Sequence, residues 1–276
     1  MEWWQALILG IVQGLTEFLP VSSSGHLMIF KELLGVDAEG FLDFTVTVHF
    51  ATVLSTVIVF WSAIWSLLKG IFKFRYNDET DYVAKLIVSM VPVAVVVLFF
   101  KDSVEALFGE SLFVVAISLI ITALLLFLSD NASRFSGRRK PSAGADVPER
   151  RNGISFLQAF VVGLGQACAV APGLSRSGTT IATGLLCGVK RDVMAQFSFL
   201  MVLVPILGEQ LLSVIDAVGE GAGLVLPVTD LLLGFIGAFV AGLVSCKAMV
   251  AIVRKARLTY FALYCLVVAL MLLLFA

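Results

Sequence analysis

Two short polar stretches interrupt an otherwise apolar sequence and carry the residues best suited to chemistry. The first reads QGLTEFLPVSSSGH from Gln13 to His26, and the second reads PGLSRSGTT from Pro172 to Thr180. The first contains a carboxylate, hydroxyls and an imidazole, and the second contains a guanidinium among hydroxyls. Such groups bind phosphate oxygens and transfer protons. Together the two stretches predict a site for a phosphorylated substrate.

The first stretch combines an acidic residue with a helix break. Gln13 and Glu17 are four residues apart and therefore share one helix face. A carboxylate inside an apolar segment costs on the order of 3 kcal/mol to bury and is usually retained for function or pairing. Glu17 is therefore a candidate site residue, and the alternative is a structural partner for a buried base. Pro20 ends this helix, and Ser22 and Ser23 precede a new helix whose N-terminus would hold an anion.

The second stretch places an arginine at the head of an apolar helix. Arg176 lies between Ser175 and Ser177, and its guanidinium can bind two phosphate oxygens at once. The alternative is a buried salt bridge, with Glu17 as the candidate partner across the two stretches. The two interpretations are compatible, because an arginine that pairs with a carboxylate can also contact a phosphate.

The composition assigns these stretches to a membrane protein. Hydrophobic residues make up 59% of the chain and charged residues only 14%, and the mean hydropathy is +1.02. These values are too apolar for an ordinary soluble domain, and they make nucleic acid an unexpected partner. The four cysteines show no metal-ligand spacing, so we interpret them as small core residues.

Long apolar segments predict an all-α polytopic membrane protein that forms a single domain over residues 1–276. A membrane span needs roughly 20 apolar residues, and about six segments qualify. They lie near 44–68, 84–100, 111–129, 193–215, 229–253 and 258–276. Two further apolar regions, 3–34 and 154–189, are each interrupted by one of the polar stretches. We expect these two regions to be re-entrant helix–loop–helix hairpins.

The charges of the connections predict the orientation of the spans. Three connections are basic, and the positive-inside rule assigns them to the cytoplasm. They contain Lys69, Lys73, Arg75 and Lys85; Arg134, Arg138, Arg139, Lys140, Arg150 and Arg151; and Arg254, Lys255 and Arg257. Two acidic connections face outward, with Asp102, Glu105 and Glu110 in one and Asp216, Glu220 and Asp230 in the other. Residues 130–153 are predicted to be a cytoplasmic linker.

The two interrupted regions are copies of one another. Trp4 to Gly25 aligns without a gap on Leu157 to Gly178, so Gln158 lies 153 positions after Gln5. Three predicted spans separate the copies, and this odd number inverts the second copy relative to the first. The sequence thus predicts inverted repeats over about 1–129 and 154–276, with the two interrupted tips meeting near the bilayer midplane.

The copies differ at the positions that could do chemistry. Serines and a glycine of the turn are shared and could simply build it. Three positions break the symmetry, where Glu17 falls on Val170, Ser23 on Arg176, and His26 on Thr179. We expect the chemistry to lie at these positions.

The two motifs resemble those of the undecaprenyl-diphosphate phosphatase family that is associated with bacitracin resistance. The first stretch resembles its (E/Q)-x-x-x-E signature, and the second resembles P-G-x-S-R-S-x-x-T. The resemblance covers essentially the whole chain. It implies that the protein hydrolyses a polyprenyl diphosphate carrier lipid to the monophosphate and inorganic phosphate, which recycles the carrier for cell-wall synthesis. It also implies a bacterial cytoplasmic membrane, a site open to the outer face, and, by analogy, a homodimer.

The resemblance assigns a role to each matching position. The expected catalytic residues are Glu17, Ser23, His26 and Arg176, and the expected substrate-binding residues are Gln13, Ser22, Ser175, Ser177 and Thr180. A divalent cation, Mg²⁺ or Ca²⁺, would bridge Glu17 and the diphosphate, although Gln13 in the first motif position weakens any proposal that needs two carboxylates. Ser23 is the preferred nucleophile and a directly attacking water is the variant. The proton acceptor is Glu17 or His26, with His26 preferred.

Two other classes of function stay open at this stage. Inverted repeats with broken helices are also typical of transporters, so the alternative is a transporter or flippase of a polyprenyl phosphate lipid. Release of phosphate in detergent micelles, which have no compartments, distinguishes an enzyme from a transporter. A structural scaffold would leave the buried ionisable residues idle. His49 belongs to no motif, and we leave it out of the predicted site.

Overall fold

A computed structural model of the chain describes residues 1–37, 39–100, 111–135, 151–171, 173–219, 226–255 and 257–275. Most of the predicted linker, most of the acidic connections and Pro172 lie outside these residues. Within these residues all regular secondary structure is α-helical, apart from one 3₁₀ turn at Arg151–Gly153. The predicted fold class is therefore confirmed.

The helices fall into two series along the chain. The first contains α1 (Trp3–Thr16), α2 (Ser23–Leu33), α3 (Phe41–Val59), α4 (Trp61–Ile71), α5 (Asp78–Phe99) and α6 (Leu112–Phe135). The second contains α7 (Phe156–Cys168), α8 (Arg176–Leu186), α9 (Arg191–Gly219), α10 (Val228–Lys255) and α11 (Thr259–Phe275). Both interrupted regions consist, as predicted, of two helices joined by a turn. Their re-entrant path in a bilayer stays a prediction.

Five of the described helices are long and apolar enough to cross a membrane, against about six predicted. They cover Phe41–Val59, Asp78–Phe99, Leu112–Ala132, Arg191–Gly208 and Val228–Val253. The sixth predicted span corresponds to α11, which has 17 residues. At a rise of about 1.5 Å per residue it is slightly shorter than the roughly 30 Å of hydrocarbon.

The predicted span at 44–68 corresponds to α3, but its C-terminal bound is wrong because the structure divides this segment into two helices. The chain turns at Phe60, where α3 ends and α4 begins. The rings of Trp61 and Trp65 are stacked at 5.9 Å on α4, and the Lys69 ammonium lies over Trp65. Tryptophan and lysine are typical of the interface between hydrocarbon and water. The composition of α4 is therefore typical of an interfacial helix, which hydropathy alone does not separate from a span.

Lys85 lies inside a helix and not in a basic connection. Its side chain is buried in α5, and its ammonium is 2.5 Å from the Asp81 carboxylate, one turn earlier. The Asp81 carboxylate also accepts a hydrogen bond from Asn152 at 3.1 Å, which ties the start of the second series to α5. A buried and paired cation does not indicate which side of the membrane a connection faces. Lys85 therefore no longer belongs to the basic residues that assign this connection to the cytoplasm.

Equivalent residues of the two copies make equivalent contacts. The Gln5 Nε2 donates to the carbonyl oxygen of Leu34 at 2.9 Å, and the Gln158 Nε2 donates to that of Cys187 at 2.9 Å. Both pairs are separated by 29 positions, and each residue of the second pair lies 153 positions after its counterpart. The structure therefore repeats the hydrogen bond that connects the two helices of each interrupted region.

The first helix of each copy packs on a helix of the other series. A Cβ added at Gly10 of α1 would collide with the carbonyl of Gly234 of α10, and a Cβ added at Gly163 of α7 would collide with the carbonyl of Ser89 of α5. The hydroxyl of Ser245 in α10 also donates to the Gly14 carbonyl. Glycine at these positions permits close approach of the backbones, as is common in membrane helix pairs.

Aromatic packing fixes the turn that follows α1. Phe18 is 2% exposed and its ring lies 6.1 Å from that of Phe199 in α9. Phe60 contacts the same ring at 5.7 Å. The turn carrying the first polar stretch is thus held in the larger buried apolar cluster, together with Val21.

Candidate active site

Glu17 lies at the C-terminus of α1 with its side chain only 9% exposed. Its backbone N–H donates to the Gln13 carbonyl at 2.9 Å, so the helical geometry continues to this residue. The Glu17 Oε2 accepts hydrogen bonds from the Gln13 Nε2 at 2.9 Å and from the Ser23 hydroxyl at 2.5 Å. The carboxylate therefore connects the end of α1 to the first residue of α2.

The two polar turns meet at this carboxylate. Arg176 is the first residue of α8, and its guanidinium Nη2 lies 3.6 Å from the Glu17 Oε1. The arginine side chain is 26% exposed, which leaves part of the guanidinium accessible. Two residues separated widely in sequence thus form an ion pair between a partly exposed guanidinium and a buried carboxylate, and the same carboxylate contacts Ser23.

The shared serines are helix caps. The Ser22 hydroxyl accepts from the Gly25 N–H at 3.3 Å, and the Ser175 hydroxyl accepts from the Gly178 N–H at 3.1 Å. Ser22 has a φ of 69°, a region that residues other than glycine rarely adopt. Ser22 and Ser175 thus cap α2 and α8, whose first residues, Ser23 and Arg176, both contact Glu17. Helix N-termini of this kind favour anions.

Ser177 and Thr180 hold the second turn in place. The Ser177 hydroxyl donates to the Leu19 carbonyl at 3.2 Å, which joins the two turns. The Thr180 hydroxyl is fully buried, lies 2.6 Å from the Ser198 hydroxyl, and donates to the Arg176 carbonyl at 2.9 Å. These contacts fix the helix that carries Arg176.

His26 is tied to the protein through both ring nitrogens. Its Nδ1 lies 2.7 Å from the Ser22 carbonyl oxygen, and its Nε2 lies 2.8 Å from the Tyr264 hydroxyl of α11. The two rings are stacked at 5.7 Å. Because a carbonyl oxygen only accepts, Nδ1 carries the hydrogen and the Nε2 lone pair accepts from Tyr264. In this arrangement His26 fixes the turn to α11.

His49, which lies outside the predicted site, faces the carboxylate. Its Nε2 is 3.7 Å from the Glu17 Oε2, and its Nδ1 donates to the Thr45 carbonyl at 2.8 Å. The bond to Thr45 fixes the ring and directs Nε2 towards Glu17. The available signal in the sequence was a single imidazole within an apolar segment. Nothing in the sequence placed the face of α3 that carries His49 against the first turn.

The sequence of this chain matches one family of known proteins over most of its length. Residues 6–271 match the family described as bacitracin resistance protein BacA. This chain belongs to the BacA family. The predicted family resemblance is thereby confirmed, and the match extends over nearly all the helices described above.

Relatives within the BacA family are similar over almost their entire length. The chain is 50% identical to the undecaprenyl-diphosphatase of Bacteroides fragilis over 269 residues, which cover 97% of this chain and 96% of the relative. It is 51% identical to the undecaprenyl-diphosphatase of Parabacteroides distasonis over 271 residues, with 98% and 97% covered. The protein of the same name from Salinibacter ruber is 37% identical over 280 residues, with 97% covered on both sides.

The oxygen atoms beside Glu17 fit a divalent cation that is shared with a substrate. The Gln13 Oε1 is buried and has no hydrogen-bond partner, and it belongs to the amide whose Nε2 already contacts Glu17. Magnesium and calcium prefer such oxygen ligands. Among the described residues no three His, Cys, Asp or Glu side chains cluster as a complete metal site. In this BacA family member, phosphate oxygens and water would therefore have to supply the other ligands.

Proposed function

We propose that this BacA family protein is an undecaprenyl-diphosphate phosphatase. It hydrolyses the terminal phosphoanhydride bond of the carrier lipid, and water is consumed as the lipid monophosphate and inorganic phosphate form. The observation that carries this proposal is the buried meeting of Ser23, Glu17 and Arg176, which combines a hydroxyl, a proton acceptor and a phosphate-binding cation. The names of relatives at 50% identity support the same reaction.

Arg176 binds the terminal phosphoryl group in this mechanism. Phosphoryl transfer spreads negative charge over the equatorial oxygens, and a fixed guanidinium neutralises that charge without reorganisation. The helices α2 and α8 begin at Ser23 and Arg176, which both contact Glu17, so N–H groups of their first turns would add to this stabilisation. The ion pair with Glu17 holds the guanidinium near the position where the charge develops.

Ser23 attacks the terminal phosphorus, and Glu17 accepts its proton. The hydrogen bond of 2.5 Å between the two side chains already directs the Ser23 hydrogen to the Glu17 Oε2. The bond to the leaving lipid monophosphate breaks, and the resulting phosphoserine is then hydrolysed by water. The sequence favoured His26 as the acid or base, but its Nε2 lone pair is occupied by Tyr264. We therefore assign the proton to Glu17 and a positioning role to His26.

Glu17 and Gln13 would hold a magnesium or calcium ion together with the diphosphate. When bound, such an ion neutralises negative charge on the two phosphates. Gln13 contributes its Oε1 and, through its Nε2, keeps the Glu17 carboxylate oriented.

The apolar helices make the protein a multi-pass membrane protein, so the isoprenoid chain can stay in lipid while the diphosphate enters the site. A bacterial cytoplasmic membrane, a site that opens to the outer face and a homodimer are further parts of the proposal. They rest on the family resemblance and on the charges of the connections.

Phosphate release by the purified protein tests the proposed function. In detergent micelles with Mg²⁺ or Ca²⁺, we expect one inorganic phosphate for each farnesyl or undecaprenyl diphosphate consumed. A flippase has no compartments to work between in micelles and would release none. Failure of the wild-type protein to release phosphate, while it stays folded, would overturn the proposal.

Glu17→Gln should lower kcat by about 10²–10³-fold, because general-base removal typically costs that much. The amide keeps the shape of the side chain but accepts no proton from Ser23. Glu32→Gln, at the exposed far end of α2, is the matched control and should keep full activity. A Glu17→Gln variant within about threefold of wild type would exclude Glu17 as the base.

His49→Leu should lower kcat by about 10-fold with a smaller change in KM, because a looser Glu17 carboxylate is less well placed to accept the Ser23 proton. Thr47→Val on the same helix is the control, since the Thr47 hydroxyl bonds only to the Asp43 carbonyl one turn earlier among the contacts of α3 described here. Equal kcat values for the two variants would show that His49 does not act on the site.

A further inference from the structure

Gln166, near the end of α7, has a buried amide whose two polar atoms both lack a hydrogen-bond partner. The residue is 1% exposed, and neither its Nε2 nor its Oε1 is within hydrogen-bonding distance of a protein group. Buried amides are almost always paired, because removing them from water without compensation is costly. The core of a bilayer has no water to pair with such an amide, so the free-energy cost of burying it is not lower in a membrane protein. Gln166 is therefore a candidate to bind a ligand through its amide.

The internal repeat indicates where the amide points. Gln166 is the counterpart of Gln13 at the separation of 153 positions, and the two occupy equivalent buried faces of α7 and α1. The contacts of Gln158 and Gly163 on the same face of α7 reproduce those of their counterparts in α1. Gln166 therefore lies, like Gln13, on the buried face of the helix that leads into its turn, although α7 ends at Cys168 and α1 continues as far as Glu17.

The two turns meet at one site, and the repeat relates the position of Gln166 to it. Ser23 and Arg176 are counterparts in the repeat, yet both contact the same carboxylate of Glu17. The site therefore lies between the two copies. Gln13 contacts the carboxylate from the first copy, and the repeat predicts a corresponding place for Gln166 beside the second turn, where Val170 replaces the carboxylate.

We propose that Gln166 binds the diphosphate of the substrate, with its Nε2 donating to a phosphate oxygen. This inference rests on the proposed function. A diphosphate presents more acceptor oxygens than the guanidinium of Arg176 and the capped helix ends satisfy. The Gln13 Nε2 is already engaged by Glu17, whereas the Gln166 amide is free to serve the ligand. Its contribution is a neutral donor that fixes the orientation of the diphosphate.

The Thr179 hydroxyl supports the same conclusion. It is 3% exposed and has no hydrogen-bond partner, and it lies in the first turn of the helix headed by Arg176. Two unpaired polar groups of the second copy thus accompany the arginine. A ligand with oxygen acceptors could pair with both groups.

Gln166→Met, which keeps the length of the side chain and removes its polar atoms, tests the proposal. With farnesyl diphosphate we expect KM to rise about 10- to 30-fold with a smaller change in kcat, because one hydrogen bond to a charged group is lost. The unfolding temperature without ligand should stay the same or rise, since an unpaired amide is removed. Inorganic diphosphate should raise the unfolding temperature of the wild type much more than that of the variant.

Gln158→Met is the matched control on the same face of α7. Its amide is paired with the Cys187 carbonyl, so this variant should unfold at a lower temperature while KM stays unchanged. Gln166→Asn provides a second test if Gln166→Met does not fold, and it should raise KM because its amide is one carbon too short to reach the same oxygen.

Each outcome separates this inference from the proposed function. A wild-type KM and a wild-type response to diphosphate in Gln166→Met would overturn the role of Gln166 and leave the phosphatase assignment intact. A lower unfolding temperature with unchanged KM would also overturn it, in favour of a structural amide. If the wild type is stabilised by diphosphate through Gln166 but releases no phosphate, the binding role stands and the phosphatase assignment fails.

Discussion

Arg176→Ala should lower kcat for phosphate release from a polyprenyl diphosphate by about 10⁴-fold, the scale found when a phosphoryl-stabilising arginine is removed. The guanidinium lies 3.6 Å from Glu17 at the meeting point of the two turns, so no other residue can replace it there without moving a helix. The variant also leaves a buried carboxylate without its partner, so the unfolding temperature should fall. Single-turnover phosphate release under saturating substrate measures the loss of rate.

Two comparisons make this result specific. Arg176→Lys keeps the charge but loses the fork that binds two oxygens, so it should recover only part of the activity. Lys190→Ala removes an exposed positive charge in the connection after α8 and should be fully active. An Arg176→Ala enzyme that keeps a tenth of the wild-type kcat would contradict the mechanism.

Ser23→Ala should lower kcat by about 10³-fold or more, because removal of an attacking nucleophile leaves only binding and charge stabilisation. The serine hydroxyl is directed at its proton acceptor by the hydrogen bond to Glu17. Quenched reactions of the wild type should contain a phosphorylated peptide that includes Ser23, and mass spectrometry would detect it.

Ser24→Ala is the control for this variant, since its hydroxyl lies next to Ser22 at 3.4 Å and has no assigned role in phosphoryl transfer. If Ser23→Ala loses only about 10-fold and no phosphorylated peptide forms, water attacks the phosphorus directly and Ser23 only binds phosphate. The sequence left these two routes open, and this pair of measurements decides between them.

The sequence predicted the helical fold and the two polar turns, because both can be recognised from the contrast between polar and apolar residues within a short segment. A carboxylate, a proline and serines stand out inside apolar segments, and the repeat related the turn of Glu17 to that of Arg176 without any coordinates. In the structure these two side chains lie together. The resemblance between two stretches of one chain thus indicated a contact between residues far apart in sequence.

The sequence did not predict the features that depend on how each helix is rotated and packed against the others, because no single segment specifies them. His49 lies in an apolar helix, and only the way α3 packs decides that its ring faces Glu17. The contact of the His26 Nε2 with the Tyr264 hydroxyl at 2.8 Å joins helices far apart in sequence, and the role of His26 in proton transfer stays a prediction. The break at Phe60 divides a stretch whose hydropathy is continuous, because a membrane span and an interfacial helix differ in orientation more than in composition.

The close contact of Gly10 with Gly234 determines when the site can form during synthesis. The helix that ends in Glu17 is synthesised well before α10, on which it packs. A nascent chain that stops before residue 228 would contain both polar turns but lack the surface that supports the acidic one. We therefore expect hydrolysis only after α10 has been translated.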